Sequence, residues 1–177
     1  IAHSTRTPVS VPSMLTGLYP SRHRMIGTNS GNFLPKEMIT APELLSELGY
    51  HTIAVSENGY AGSAKGLDER FDDFVKSSLY TIRDLFSYQH GITFLKYISK
   101  ARKHGPGYTF NKSAHGKQSS FFTTDIAKRK LNRISKSDKP FFCYVHYNDP
   151  HHPYIPPLSY RDKYISEIDA TVKEALT

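Results

Sequence analysis

The chain has 177 residues, 38% of them hydrophobic and 12% aromatic, with one cysteine and a formal net charge of +7. It is long and apolar enough to bury a core, which excludes an extended disordered chain. A single cysteine excludes an internal disulfide and a Cys-based zinc site, and no apolar run reaches the length of a membrane span, so the compartment stays open.

The first expected element is a short helix over 8–17, with Pro8 suited to its first turn and Gly17 to its end. Gly, Asn, Ser and Pro dominate 17–36, which reads as a long surface loop. Thr40 and Glu43 form a capping box with Pro42 in the first turn, so a helix runs through Leu44, Leu45 and Leu48 and stops at Gly49. His51 to Ser56 alternates and is rich in β-branched residues, which predicts a strand. A helix followed closely by a strand is the αβ half of a βαβ unit.

Residues 57–78 read as a loop with Gly59, Gly62 and Gly66, closed by Phe71, Phe74 and Val75. Apolar residues near helical spacing occupy 79–104, with Gly91 as a break. The Gly-, Lys- and His-containing stretch 105–117 lacks apolar periodicity and is expected to be poorly ordered and outside the core. Asp125 to Ile134 predicts a basic helix. Pro140 then introduces Phe141 to Tyr147, a continuous apolar run typical of a parallel strand covered on both faces, in which Cys143 reads as a small buried residue. Ser166 and Asp169 are placed to cap a last helix, and no internal repeat is present.

Charge is uneven along the chain. Residues 96–139 hold twelve of the 23 Lys and Arg against two acids, Asp125 and Asp138. This fits a solvated helix face with an adjoining loop, or a surface that attracts an anionic substrate or polymer. No nucleic-acid-binding motif accompanies the charge, so no specific nucleic-acid partner is expected.

Three segments could carry chemistry. In the first, Thr7 stands at the start of a helix, where free N–H groups and the helix dipole favour an alkoxide and an incoming anionic ester. A threonine hydroxyl needs a base or a metal to become nucleophilic, and its structural alternative is an N-cap. In the second, Asn58 follows the 51–56 strand and can donate to an ester oxygen or serve as a turn residue. In the third, His151 follows the 140–147 strand, where open α/β folds gather ligand groups. An imidazole there can stabilise charge on a transferring anion.

These segments resemble the sulfatases of the alkaline-phosphatase superfamily. Leu15-Thr16-Gly17-Leu18-Tyr19-Pro20 with His23 matches the end of their nucleophile signature. Ser10-Val11-Pro12-Ser13 fits its Ser-x-Pro-Ser, but the spacing back from Leu-Thr-Gly puts the nucleophile at Thr7. The Ser10 register shortens the helix by three residues, a turn of about 300° against its packed end, which favours Thr7. Pro12 then lies beyond the first turn, where it should kink the helix. Leu44-Leu45 through Tyr50 and Thr52, then Gly66-Leu67-Asp68 to Phe71-Asp72 and Phe74, is similar to the family's next run. Tyr144 to Tyr154 resembles its "HY-x-x-P-H-x-P-Y", with the substrate-contacting His at His151 and less weight on His146 and His152.

The resemblance implies an α/β/α sandwich with a mainly parallel sheet. It makes residues 1–177 a partial catalytic domain, without the family's first strand and C-terminal metal-binding part. Thr7 and His151 are then catalytic, Asn58, Ser10 and His23 contact substrate, and a divalent ion (Ca, Mn or Zn) has Thr7 as its one ligand from this chain. The implied substrate is an anionic small-molecule or glycan ester. Two departures bear on the chemistry. The Arg after Pro-Ser is replaced by Met14 or Val11, according to register, and Ser56-Glu57-Asn58-Gly59 stands where the family carries Gly-Lys-Trp-His. Formylglycine is made from Cys or Ser, so a Thr nucleophile shifts the expectation toward phosphoester chemistry. The alternatives are a phosphotransferase of the same fold acting on a surface glycan or lipid, and a non-catalytic homologue that binds an anionic polymer.

Overall fold

The computed structural model describes residues 2–27, 32–77, 95, 99 and 120–151. The chain divides into two compact units, Ile1–Ser78 with Thr123–Asn148, and Leu79–Phe122 with Asp149–Thr177. The described elements are α1 (Thr7–Thr16), α2 (Pro20–His23), α3 (Ala41–Glu47), β1 (His51–Ser56), three 3-10 turns between Gly59 and Arg70, β2 (Asp73–Lys76), α4 (Ser120–Ile134) and β3 (Phe141–His146). Apart from Leu95 and Ser99, the segment 79–104, the basic stretch 105–117 and the helix expected from Ser166 lie outside the described residues.

β1 is the central strand of a parallel sheet of order β2-β1-β3. Ile53 pairs with Asp73 on one side and with Cys143 on the other. Alternation then sends even and odd positions to opposite faces. Ala54, Phe74, Phe142 and Tyr144 pack with Val11 and Leu15 of α1 and with Met25, Leu34, Ala61, Leu67 and Phe71. Val55, Val75 and Val145 pack with Ile126 and Ala127 of α4. A parallel sheet with a helix on each face is the expected α/β/α arrangement.

Local signals explain most boundaries. Glu43 Oε2 accepts from the Thr40 N–H (2.8 Å) and hydroxyl (2.7 Å), fixing the start of α3. At its end Gly49 takes φ +88, and the N–H groups of Gly49 and Tyr50 close onto the Ser46 and Leu45 carbonyls. Leu44 of α3 is 48% exposed, and Leu48, its C-cap, 74%. Only Pro42 of this helix is buried, so helical spacing of apolar residues here does not mark a core face.

Other corrections share a cause, which is contact between segments distant in sequence. The 57–78 loop contains β2, whose start is held by the Asp72 carboxylate accepting from the Thr52 N–H (2.8 Å) and hydroxyl (3.0 Å). Gly62 lies so close to Phe74 that a Cβ would sit 2.6 Å from its ring. The 17–36 loop is more than a surface connection: it forms α2 and buries Met25 and Leu34. Two buried cations hold it. Lys65 Nζ donates to the Gly27 (3.3 Å) and Asn32 (3.2 Å) carbonyls. Arg70 donates to the carbonyls of Leu34, Pro35, Lys36 and Met38 and to Glu43.

The basic helix starts at Ser120, five residues before its expected position. Arg129 pairs with Asp125 at 3.5 Å and Lys130 with Asp73, while Lys128 and Arg133 are exposed, as on a solvated face. β3 is an outer strand of the described sheet, so its residues and Cys143 are half-exposed where full cover was expected.

Candidate active site

α1 begins at Thr7 itself, one residue before the expected start. Arg6 occupies the N-cap position in an extended conformation, and its carbonyl accepts from the Val9 (3.1 Å) and Ser10 (2.9 Å) N–H groups. Thr7 is therefore the first helical residue and not the cap. Its hydroxyl makes no hydrogen bond among the described residues. The helix continues through Pro12, whose carbonyl accepts from the Thr16 hydroxyl at 2.7 Å.

Thr7, Ser10 and Met14 are spaced along one side of α1, and Pro8, Val9, Val11, Pro12, Ser13 and Leu15 of the same helix are buried. Thr7 and Ser10 are half-buried and Met14 is exposed. The hydroxyls of both nucleophile registers thus share one stripe, a single turn apart.

His23 is fully buried, with both ring nitrogens engaged. Nδ1 accepts from the Met25 N–H at 3.0 Å, which places the ring proton on Nε2. Nε2 then donates to Ser13 Oγ at 2.7 Å, and that hydroxyl donates to the Val9 carbonyl at 3.1 Å. The chain of bonds locks α2 and the following turn onto α1. Burial, assisted by the neighbouring His3, lowers the His23 pKa below its ordinary value.

A folded pKa below the unfolded one means that the unfolded chain binds the extra proton. The His23 contribution is therefore complete above about pH 6.5 and lost as pH falls from there through the folded value. His146, also lowered by burial, acts in the same direction. The carboxylates follow at lower pH. Burial would raise Glu43, but its bonds from Thr40 and Arg70 prevail, and the Thr52 N–H lowers Asp72, so their stabilisation is lost below about pH 4. The urea midpoint should fall between pH 7 and pH 5, and His23→Gln should flatten part of that limb. An unchanged pH profile in the variant would show that His23 is not buried neutral.

The carboxyl ends of β1 and β3 meet through Asn58 and Asn148. Asn58 Nδ2 donates to Asn148 Oδ1 at 3.1 Å, and Asn58 Oδ1 accepts from the Tyr60 N–H at 2.9 Å. Beneath this pair lies Glu57, 1% exposed, which the sequence reading passed over. Its Oε2 accepts from the Asn148 N–H at 2.9 Å, its Oε1 from the Thr123 hydroxyl, and its own N–H donates to the His146 carbonyl at 3.2 Å. On β3, His146 Nδ1 lies 2.8 Å from the Tyr144 hydroxyl, whose pKa burial pushes up to about 12.

His151 belongs to the second unit, where it is exposed after the Asp149-Pro150 turn. In that unit Asp149 accepts from the Ser120 hydroxyl at 2.6 Å. His152 lies outside the described residues. Among the described residues no three His, Cys, Asp or Glu side chains come together, so they do not fit a metal-ion cluster.

The Sulfatase family model matches residues 1–174 of the chain. The uncharacterized sulfatase YidJ of Escherichia coli (strain K12) is 24% identical over 174 residues, which cover 90% of this chain and 32% of that protein. The crystal structure of Ps i-CgsB is similar at a TM-score of 0.44 and 20% identity, covering 82% of this chain and 35% of that one. Its complex with k-i-k-neocarrahexaose gives a TM-score of 0.45 and 18% identity, covering 86% and 36%. The chain spans about a third of the length of each of these relatives.

Proposed function

The chain belongs to the sulfatase family, and on that footing we propose that it carries the nucleophile, Thr7, of a hydrolase acting on anionic sulfate or phosphate esters. The observation that supports this most is the place of Thr7 as the first residue of a ten-residue helix, half-buried and not used as a cap. Thr7 Oγ1 attacks sulfur or phosphorus in line, and the bond to the leaving oxygen breaks as the new ester bond forms. The hydroxyl proton passes to a base, and the leaving oxygen takes up a proton. Water then cleaves the Thr7 ester, releasing sulfate or phosphate and restoring the hydroxyl.

The other residues act on charge and position. Amide dipoles at the start of α1 favour the anionic group. Asn58 donates to an ester oxygen. Ser10, one turn along the same stripe, borders the substrate. His23 works through Ser13, holding α1 in place. Sulfatase-family chemistry generally employs a divalent metal ion, but the described residues assemble no cluster to hold one. The substrate class that fits is a small-molecule or glycan ester bearing the anionic group.

A trapped intermediate tests this reading. The full-length protein, acid-quenched during turnover of an aryl sulfate or an aryl phosphate and digested, should carry a sulfo or phospho group on Thr7. A group on Ser10 would establish the other register, and a group on neither would end the covalent mechanism. Transfer to an added alcohol in preference to water would favour the phosphotransferase reading.

A further inference from the structure

We propose that Glu57 is a positioning residue for this reaction, holding Asn58 and Asn148 as a pair of amide donors to the oxygens of the anionic ester group. The inference rests on the hydrolase reading above and extends it to two residues, Glu57 and Asn148. Glu57 is 1% exposed, directly after the end of β1. Burying a carboxylate is costly unless its oxygens are hydrogen-bonded. Here both oxygens accept: Oε1 from Thr123, and Oε2 from the Asn148 backbone. Thr123 in turn lies 2.9 Å from the Ser77 hydroxyl, and the Ser77 N–H bonds the Ser56 carbonyl at 2.9 Å. One buried side chain thereby ties together the residues that follow β1, β2 and β3 and the first unit's part of α4.

The amide pair is oriented by this frame. The Tyr60 N–H can bond only an oxygen, so it fixes Oδ1 of Asn58 and turns Nδ2 toward Asn148. Asn148 accepts through Oδ1, so its own NH₂ faces away from that bond. One N–H of Asn58 and both of Asn148 lie outside the pairing, on half-buried side chains at the carboxyl end of the sheet. Preorganised N–H donors of this kind stabilise charge that develops on a transferring group. Asn148 depends on Glu57 directly, and Asn58 depends on it through Asn148.

A double-mutant cycle in the full-length protein separates positioning from simple structural support. Asn58→Ala should lower kcat about 100-fold, as loss of one preorganised donor does. Glu57→Ala should lower kcat about tenfold or more with a smaller change in KM, and Glu57→Gln, which can still accept from the Asn148 N–H, should recover much of the loss. If Glu57 acts through the amide pair, adding Glu57→Ala to the paired variant Asn58→Ala/Asn148→Ala stays within about threefold of that paired variant. Independent losses that multiply would overturn the proposal, as would a Glu57→Ala defect confined to the melting temperature. Thr7→Ala, run in parallel, tests the nucleophile by itself. Should the wild-type protein turn over no ester, the same cycle is read in the Kd for inorganic sulfate and phosphate. Affinities unchanged by Asn58→Ala, or additive losses, would then refute the pair.

Discussion

Thr7→Ala in the full-length protein is expected to abolish turnover while leaving the fold intact. Removing a covalent nucleophile costs roughly 10⁴-fold or more in kcat, because what remains is only the stabilisation offered by binding and charge. The fold is spared for a reason visible in α1. Thr7 is not the N-cap, its hydroxyl makes no hydrogen bond among the described residues, and it is half-buried on the less covered stripe. Its replacement by Ala should shift stability by about 0.5 kcal/mol or less. Thr7→Ser should keep part of the activity, since it retains a hydroxyl at the same backbone position, and Ser10→Ala should lower kcat far less than Thr7→Ala. Initial rates on aryl sulfates and phosphates, with circular-dichroism melts of each variant, are the measurements. Full activity in Thr7→Ala would rule the mechanism out. The reverse ranking of Thr7 and Ser10 would restore the register in which Ser10 attacks.

The second large effect is on stability. Arg70→Met should destabilise the first unit by about 3–5 kcal/mol, the usual consequence of removing one partner of a buried charged network. The guanidinium donates to four main-chain carbonyls, from Leu34 to Met38, and bonds Glu43 Oε1 at 2.8 Å. Methionine supplies similar bulk but no donor, so those carbonyls lose a shared partner and Glu43 loses its cation. Arg70→Lys should recover only part of the loss, because an ammonium cannot span carbonyls that a planar fork reaches together. Urea unfolding at neutral pH would give the midpoint shift. A shift of a few tenths of a kcal/mol would mean that the 34–38 segment is held by other contacts.

Much of the scaffold was legible because its signals are short-range. Thr40 and Glu43 lie three residues apart and bond each other whatever surrounds them, and Gly49 ends α3 through its own backbone freedom. β-branched density marked β1 and an apolar run marked β3 to within a residue. At the site, motif order selected Thr7, Asn58 and His151, and the structure shows the first at a helix start and the second at a strand end.

What the sequence determined by itself, then, is the alternation of helix and parallel strand, the caps of α3 and the family. Those follow from spacing along the chain. The tertiary structure decided where charge is buried. Lys65 and Arg70 stand in a Gly-containing stretch, and they are buried because carbonyls from residues 27–38 accept their N–H groups. Glu57 is buried where Asn148, 91 positions later, brings its N–H to the carboxylate. β2 is too short to show a period, and among the described residues β1 beside it supplies its ladder partners. Leu44 in α3 and Leu48 at its C-cap are exposed while Leu45 is half-buried, because periodicity states which residues share a side and only packing decides which side is covered.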